Sequence, residues 1–198
     1  MLWLIAIEGK LAVAQAIEPP PVKFIMGLIL AQEAPVVAVR QQLEAAYGRI
    51  DLETAQLPFV ATRFYEREMG PALQRLFWSF EALIAPDALP GIKHETNAME
   101  RTAAMHAEQD WRRRVNLDPG YVDLAKLVLA TTKDRQHRLY LGQGIYAEVT
   151  LRFTGGRFVP WDWTYPDYRT PEYLAFFDAV RRRYRQQLTT LLAEPHHV

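Results

Sequence analysis

Cysteine is absent from the 198-residue chain. Its absence excludes disulfides, thiol nucleophiles and cysteine-bound zinc, and it fits a reducing compartment, so a cytoplasmic location is expected. Net charge is absent too. The 23 basic side chains balance 23 acidic ones, which leaves no overall field to draw the chain to nucleic acid or an anionic membrane. Long apolar runs are also missing. A membrane-spanning helix needs roughly 20 apolar residues, and no stretch reaches that length. The opening MLWLIAIEGK is cut by Glu8 and Lys10 and has no basic flank ahead of it, so it makes a poor secretory signal. No phosphate-loop pattern and no HExxH zinc pattern occur. His94-Glu95-Thr96 has the spacing of two-histidine phosphoesterases, but the second such motif that this chemistry requires is not there.

The length suits one large domain with a sizeable core. Residues 1–20 read as an extension ended by Pro19, Pro20 and Pro21, residues 21–192 as a single domain, and residues 193–198 as a flexible tail. VKFIMGLIL, from Val22 to Leu30, is nearly all apolar, the pattern of a strand buried on both faces. A helix is expected next: Pro35 suits its first turn, Val36, Val39, Leu43 and Tyr47 recur at helical spacing, and Gly48 suits its stop. LPFVATR (57–63) and RLFWSFEALI (75–84) are strand candidates, the second also compatible with a helix. Residues 94–109 have helical composition but few large apolar positions, which predicts a surface helix.

Asp118-Pro119-Gly120 has the form of a helix cap followed by proline in the first turn, predicting a helix from about Pro119 into the Leu127 to Leu129 region. Thr170-Pro171-Glu172 repeats that logic before a last helix striped by Leu174, Phe177, Tyr184, Leu188 and Leu191. There Arg181, Arg182, Arg183 and Arg185 lie towards the negative end of the helix dipole, and no nucleic acid is needed to explain them. Between these helices, HRLYLGQGIYAEVTLRFTGGRFVPW predicts a three-stranded meander with two glycine turns. A three-residue loop at Gly142, Gln143 and Gly144 sets Leu141 opposite Ile145, Tyr140 opposite Tyr146, Leu139 opposite Ala147 and Arg138 opposite Glu148. It gathers Leu139, Leu141, Ile145, Ala147, Val149, Leu151 and Phe153 on one face, and Arg138, Tyr140, Tyr146, Glu148, Thr150 and Arg152 on the other. A two-residue turn at Gly155-Gly156 pairs Phe153 with Phe158.

A multiply charged anion gives up its water only for equally good donors. The chain offers Arg114, with Arg112 and Arg113, ahead of Asp118, then Lys126, Lys133, Arg135, Arg138 and Arg152. Asn116, Asp118, Tyr121 and Tyr146 complete a candidate ligand-binding set, in which the tyrosines orient or stack a ligand. His137 and Glu148 are the candidates for moving a proton. The plain alternative is that these charges pair with Glu108, Asp110, Asp134 and Glu148 across a solvated surface, with Asp118 as a helix cap and Glu148 bound to Arg138. No protein metal site is expected; a magnesium ion would come only with a phosphate-bearing ligand. FYEREMG (64–70) and WDWTYPDYR (161–169) have compositions that stack a base or sugar, or close the edge of a core.

Taken together, PVKFIMG, FYEREMG, RRVNLDPGY, KLVLATTKDRQHRLYLGQGIYAEVTL and WTYPDYR resemble an uncharacterised bacterial domain-of-unknown-function family, DUF4416, over about residues 21 to 188. The resemblance implies no activity and no catalytic residue. The fold expectation is one α+β domain, with a mixed, largely antiparallel sheet covered by helices. Two functions follow from the residues: an enzyme or sensor binding a nucleotide or other phosphate-bearing metabolite, or a noncatalytic module whose polar face meets a protein partner.

Overall fold

The computed structural model describes residues 14–105 and 113–193. It is an α+β fold built on one nine-stranded sheet in which every ladder is antiparallel. The expectations for residues 1–13, for 106–112 and for the tail beyond Ala193 lie outside the described residues. Residues 14–21 carry no regular secondary structure. The elements run β1 (Val22–Leu30), α1 (Val36–Tyr47), β2 (Ile50–Glu53), β3 (Leu57–Pro58), α2 (Glu66–Met69), β4 (Gln74–Ile84), α3 (Leu89–Met105), β5 (Val115–Val122), β6 (Lys126–Thr131), β7 (Arg138–Gly142), β8 (Ile145–Thr154), β9 (Arg157–Pro160) and α4 (Pro171–Ala193). The sheet order is β2-β4-β1-β5-β6-β8-β7, with β3 on β4 and β9 on β8. Among the described residues no helix is long and apolar enough to cross a membrane.

Two cores explain why β1 is apolar at every position but Lys23. Phe24, Met26 and Leu28 pack with Trp78 and Phe80 against Val39 and Leu43 of α1 and Ile92 of α3. On the opposite face, Ile25 and Phe77 pack with Leu127, Leu151 and Phe158 under Tyr173, Phe177 and Val180 of α4. Of the two strand candidates after α1, RLFWSFEALI forms β4, whereas LPFVATR shrinks to the two residues of β3.

The helix expected from Pro119 is replaced by strands β5 and β6. Alternation across VNLDPGYV fits the ladder with β1, in which Lys23 pairs with Val122 and Leu30 with Val115. The cap signature misleads because the aspartate that holds a turn is Asp123: its Oδ1 accepts the Ala125 and Lys126 amides at 2.6 and 2.7 Å and closes the β5–β6 hairpin. Asp118 lies within β5.

The meander exists, but its faces differ from the simple alternation. Arg138 to Tyr140 pair with Glu148 to Tyr146 as expected, whereas the loop tightens to Gln143-Gly144 with Gly142 opposite Ile145, leaving Leu141 without a partner. Both loop residues have positive φ, 55° and 76°, the requirement of a type I′ turn. A second irregularity matters more. Leu127 pairs with Leu151 and Val128 with Val149, so Thr150 is an extra residue on β8, a bulge that exchanges the faces on either side of it. Ile145, Ala147 and Val149 therefore meet Leu89 of α3, while Glu148 shares the α4 side with Leu151. Leu139 stays 71% exposed because β7 is the outermost strand, and Arg138, Glu148 and Thr150, expected on the polar face, are buried.

Residues 94–109 do not form a peripheral surface helix in their described part. α3 starts at Leu89 and turns a largely polar stripe inward: Ile92, Lys93, Thr96 and Glu100 are buried. α4 begins at Pro171 as expected, burying Phe177, Tyr184 and Leu188. Leu191 is exposed, and the arginines lie in mid-helix, where Arg181 donates to the Leu124 carbonyl and Arg183 faces Asp51.

Candidate functional site

β5 and β6 pair at three positions, Gly120 with Leu129, Tyr121 with Val128 and Val122 with Leu127, and beyond these the ladder stops. The strands part towards Val115 and Thr131. An open strand edge inside a protein leaves amides and carbonyls that need partners. Helix α3 supplies them: the Leu117 N–H donates to Glu100 Oε1 at 2.7 Å, and Lys93 Nζ donates to the Leu117 carbonyl at 2.7 Å. A cavity of about 590 Å³ occupies the opening. The sheet, α3, the segment before α2, the loop after β6 and the Tyr165 to Tyr168 segment all line it.

Arg75, fully enclosed on β4, forms its floor. It donates to Tyr168 Oη at 2.6 Å and to Asp118 Oδ2 at 3.1 Å, and its Nε faces Asp167 at 3.4 Å. Its guanidinium also covers the Phe77 ring at 4.5 Å. Burial opposes the charge, but Tyr168, Asp167 and Asp118 outweigh it and hold Arg75 more firmly protonated than a free guanidinium. Burial likewise acts to raise Asp118, yet Arg75 and Lys93 prevail and keep it below the usual carboxylate range. Asp167 goes the other way, burial lifting it despite Arg75. Between α2 and α3, Arg113 bridges Glu68 at 2.9 Å and Glu100 at 2.8 Å and donates to Asn116 Oδ1 at 2.9 Å. Among the described residues, Nε of Arg75, Nε of Arg113 and Nδ2 of Asn116 are buried donors with no hydrogen-bond partner.

On the far wall Glu148 is held by Arg138, whose Nε and Nη2 approach Oε2 at 2.9 and 2.8 Å, and by His137 Nε2 at 3.2 Å. Arg138 also donates to the Lys133 carbonyl at 2.8 Å and to Tyr165 Oη at 3.1 Å. His137 stacks on Trp163. At the rim, Lys133 lies over the Phe64 ring at 4.2 Å, and Arg135 donates to the Asp134 carbonyl.

Of the residues proposed from sequence, Asn116, Asp118, Lys133, Arg138 and Glu148 meet at this cavity, and His137 reaches it through Glu148. The other five do not line it. Arg114 pairs with Glu33 at 3.1 Å, Lys126 with Asp123 at 2.6 Å, and Arg152 stacks over Trp161 at 4.2 Å. Tyr146 packs on Tyr140, and Tyr121 packs on the Val128 and Ile145 cluster. Sequence reasoning passed over Arg75, Lys93 and Glu100. Their signals were an arginine heading an apolar strand, and a lysine and a glutamate seven residues apart on one helical face with Thr96 between them. Among the described residues no three His, Asp or Glu side chains converge as metal ligands.

Glu100 gives a pH prediction. Burial lifts its carboxyl above the ordinary value of 4.5, over the opposing charges of Lys93 and Arg113. A carboxyl raised in the fold binds its proton more tightly there, so its contribution is full below the unfolded pKa and is lost as pH rises through the folded one. Urea melts of wild type and Glu100→Gln are expected to diverge as pH falls towards 4.5, wild type gaining stability relative to the variant. Contributions common to both proteins, Asp118 included, cancel in that difference, and equal pH profiles would contradict it.

No curated protein and no solved structure matches the chain. The stretches FYEREMG, RRVNLDPGY, KLVLATTKDRQHRLYLGQGIYAEVTL and WTYPDYR, dispersed in sequence, all contribute to the cavity wall, and the family model that contains them matches residues 20–184: the chain belongs to the family described as Domain of unknown function (DUF4416).

Proposed function

We propose that the cavity between β5 and β6 binds a small anionic metabolite bearing phosphate, with a nucleotide as the leading class. The carrying observation is the unequal pairing of charge around it. The carboxylates of Glu68, Glu100, Asp118, Glu148 and Asp167 each lie within 4.0 Å of an arginine, whereas the rim cations Lys133 and Arg135 have no carboxylate that close among the described residues. The surplus at the mouth is therefore positive, beside the hydroxyls of Thr131 and Thr132, which also line the cavity. Phe64, Tyr65 and Tyr165 offer aromatic surface for a base. In this reading Glu148 fixes Arg138 and His137; with three donors already on Oε2, it is poorly placed to take a proton from a ligand.

Thermal melts with inorganic phosphate, pyrophosphate, nucleotides and sugar phosphates, each with and without magnesium, test the reading. A ligand at 100 times its Kd adds about 2.7 kcal/mol to stability. The melting temperature is expected to rise with at least one phosphate compound, and Arg135→Glu, which reverses a rim charge, should erase the rise. Melts unmoved by the whole panel would overturn the proposal and leave the polar face to a protein partner.

A further inference from the structure

Asn116 and Asp118 stand two residues apart on β5 with no shift in register between them, so their side chains leave the same face of the strand, and both line the cavity. Asn116 is 5% exposed, and its amide is oriented. Arg113 Nη1 donates to its Oδ1 at 2.9 Å, which leaves Nδ2 as the free end. Nδ2 lies near enough to Asp118 to favour the charged carboxylate, but outside hydrogen-bonding geometry, and it has no partner among the described residues. Asp118, 24% exposed, has one oxygen open: Oδ2 accepts Arg75 at 3.1 Å, whereas Lys93 stays 4.0 Å from Oδ1. We propose that this free donor and this open acceptor read the Watson–Crick edge of the ligand's base. The inference rests on the nucleotide reading of the cavity and adds the residues that recognise the base.

A buried donor left without a partner costs free energy, which a matching acceptor recovers. Every nucleobase sets an acceptor next to an N–H on its Watson–Crick edge: a carbonyl beside a ring N–H in uracil and guanine, a ring nitrogen beside the amino group in adenine and cytosine. Asn116 Nδ2 donates to the acceptor, and Asp118 Oδ1 accepts the N–H. Each protein group can play only that part. The Asn116 oxygen is taken by Arg113, and Asp118 carries no proton, since burial opposes its charge but Arg75, Lys93 and Asn116 outweigh it. This end of the cavity also suits a neutral group better than a second anion. Its cations, Arg75, Lys93 and Arg113, already face Asp118, Asp167, Glu68 and Glu100, whereas the surplus charge sits at the rim with Lys133 and Arg135. Tyr65 lines the cavity with its ring 5.7 Å from the Arg113 guanidinium, so aromatic surface borders the pair.

Blocking that edge on the ligand tests the pair without altering the protein. Melts of the full chain are titrated with ribose 5-phosphate, with UMP, GMP, AMP and CMP, and with the edge-blocked 3-methyl-UMP, 1-methyl-GMP, N6,N6-dimethyl-AMP and N4,N4-dimethyl-CMP. Each Kd is taken from the concentration dependence of the shift. At least one nucleotide is expected to bind more tightly than ribose 5-phosphate, and its methylated counterpart to bind about 5- to 150-fold more weakly, the worth of one bidentate base contact. Asn116→Ala should shrink that difference while keeping the shift with ribose 5-phosphate, whereas a loosened cavity would weaken all ligands alike. A difference kept in full by Asn116→Ala would remove Asn116 from base recognition. Wild-type melts that respond equally to ribose 5-phosphate and to nucleotides, methylated or not, would overturn base reading by Asn116 and Asp118 and leave the anion reading standing. Melts unmoved by every phosphate compound would overturn both.

Discussion

Arg75→Ala is expected to cost about 3–5 kcal/mol in urea denaturation, the range for removing one partner of a buried ion pair. The side chain is 3% exposed and faces two carboxylates, Asp118 at 3.1 Å and Asp167 at 3.4 Å, as well as Tyr168 Oη at 2.6 Å. Truncation removes the cation and, among the described residues, leaves these acceptors with Lys93, 4.0 Å from Asp118, as the cation within salt-bridge distance. Against a typical domain stability of roughly 5–15 kcal/mol, a loss of that size threatens folding at ordinary temperature. Two further variants identify the cause. Arg75→Lys keeps the charge but not the planar fork that reaches Asp118 and Tyr168 together, so its loss should be intermediate. In Arg75→Ala with Asp118→Asn, neutralising the stranded carboxylate should recover part of the loss, a coupling typical of groups in contact. Strict additivity of the two substitutions would show that the cost is lost packing over Phe77 and not uncompensated charge.

The same residue shows why the fold was more legible in the sequence than the site. β1, α1 and α4 were readable because their signals are local: a nearly unbroken apolar run, a stripe ended by Gly48, and a proline at the first position of α4. Arg75 and Tyr168 stand 93 residues apart, and nothing local in either stretch announces their meeting. Asp118-Pro119-Gly120 failed for a related reason. A cap signature describes what a segment does alone, and pairing along the whole of β1 overrode it. The inward polar face of α3 was hidden because Lys93 and Glu100 have solvent-facing chemistry unless an open strand edge lies beneath them. Lys133, Arg138 and Glu148 could be named from sequence because the hairpin turn fixes their neighbourhood within a few residues. Arg152 was drawn into the same set by an alternation that Thr150 interrupts, whereas Tyr146 shares the Glu148 face but sits further along it, packed on Tyr140.

Gly120→Ala is expected to be the other severe substitution, at about 3 kcal/mol, the upper part of the ordinary range for forcing volume into a packed interior. Gly120 occupies the last paired position before β5 and β6 part, opposite Leu129. A methyl group there would lie 2.4 Å from the Val128 carbonyl oxygen and 2.7 Å from Leu129 Cδ2. The first of these is backbone, which cannot swing aside, so relief requires moving β6 away from β5. That movement spoils the short ladder that sets the width of the cavity mouth, so the variant should also lose the phosphate-induced melting shift while any folded fraction remains. Gly91→Ala is the control. Gly91 is exposed in α3 and a methyl group there meets nothing within 4 Å, so helix propensity alone should stabilise the protein by about 0.5–1 kcal/mol. Two glycine-to-alanine changes of opposite sign, read by the same urea melts, separate close strand approach from glycine's general flexibility. A tolerated Gly120→Ala that still binds phosphate would mean that β5 and β6 can part further without disturbing the cavity, and would remove the three-pair ladder as the element that fixes its geometry.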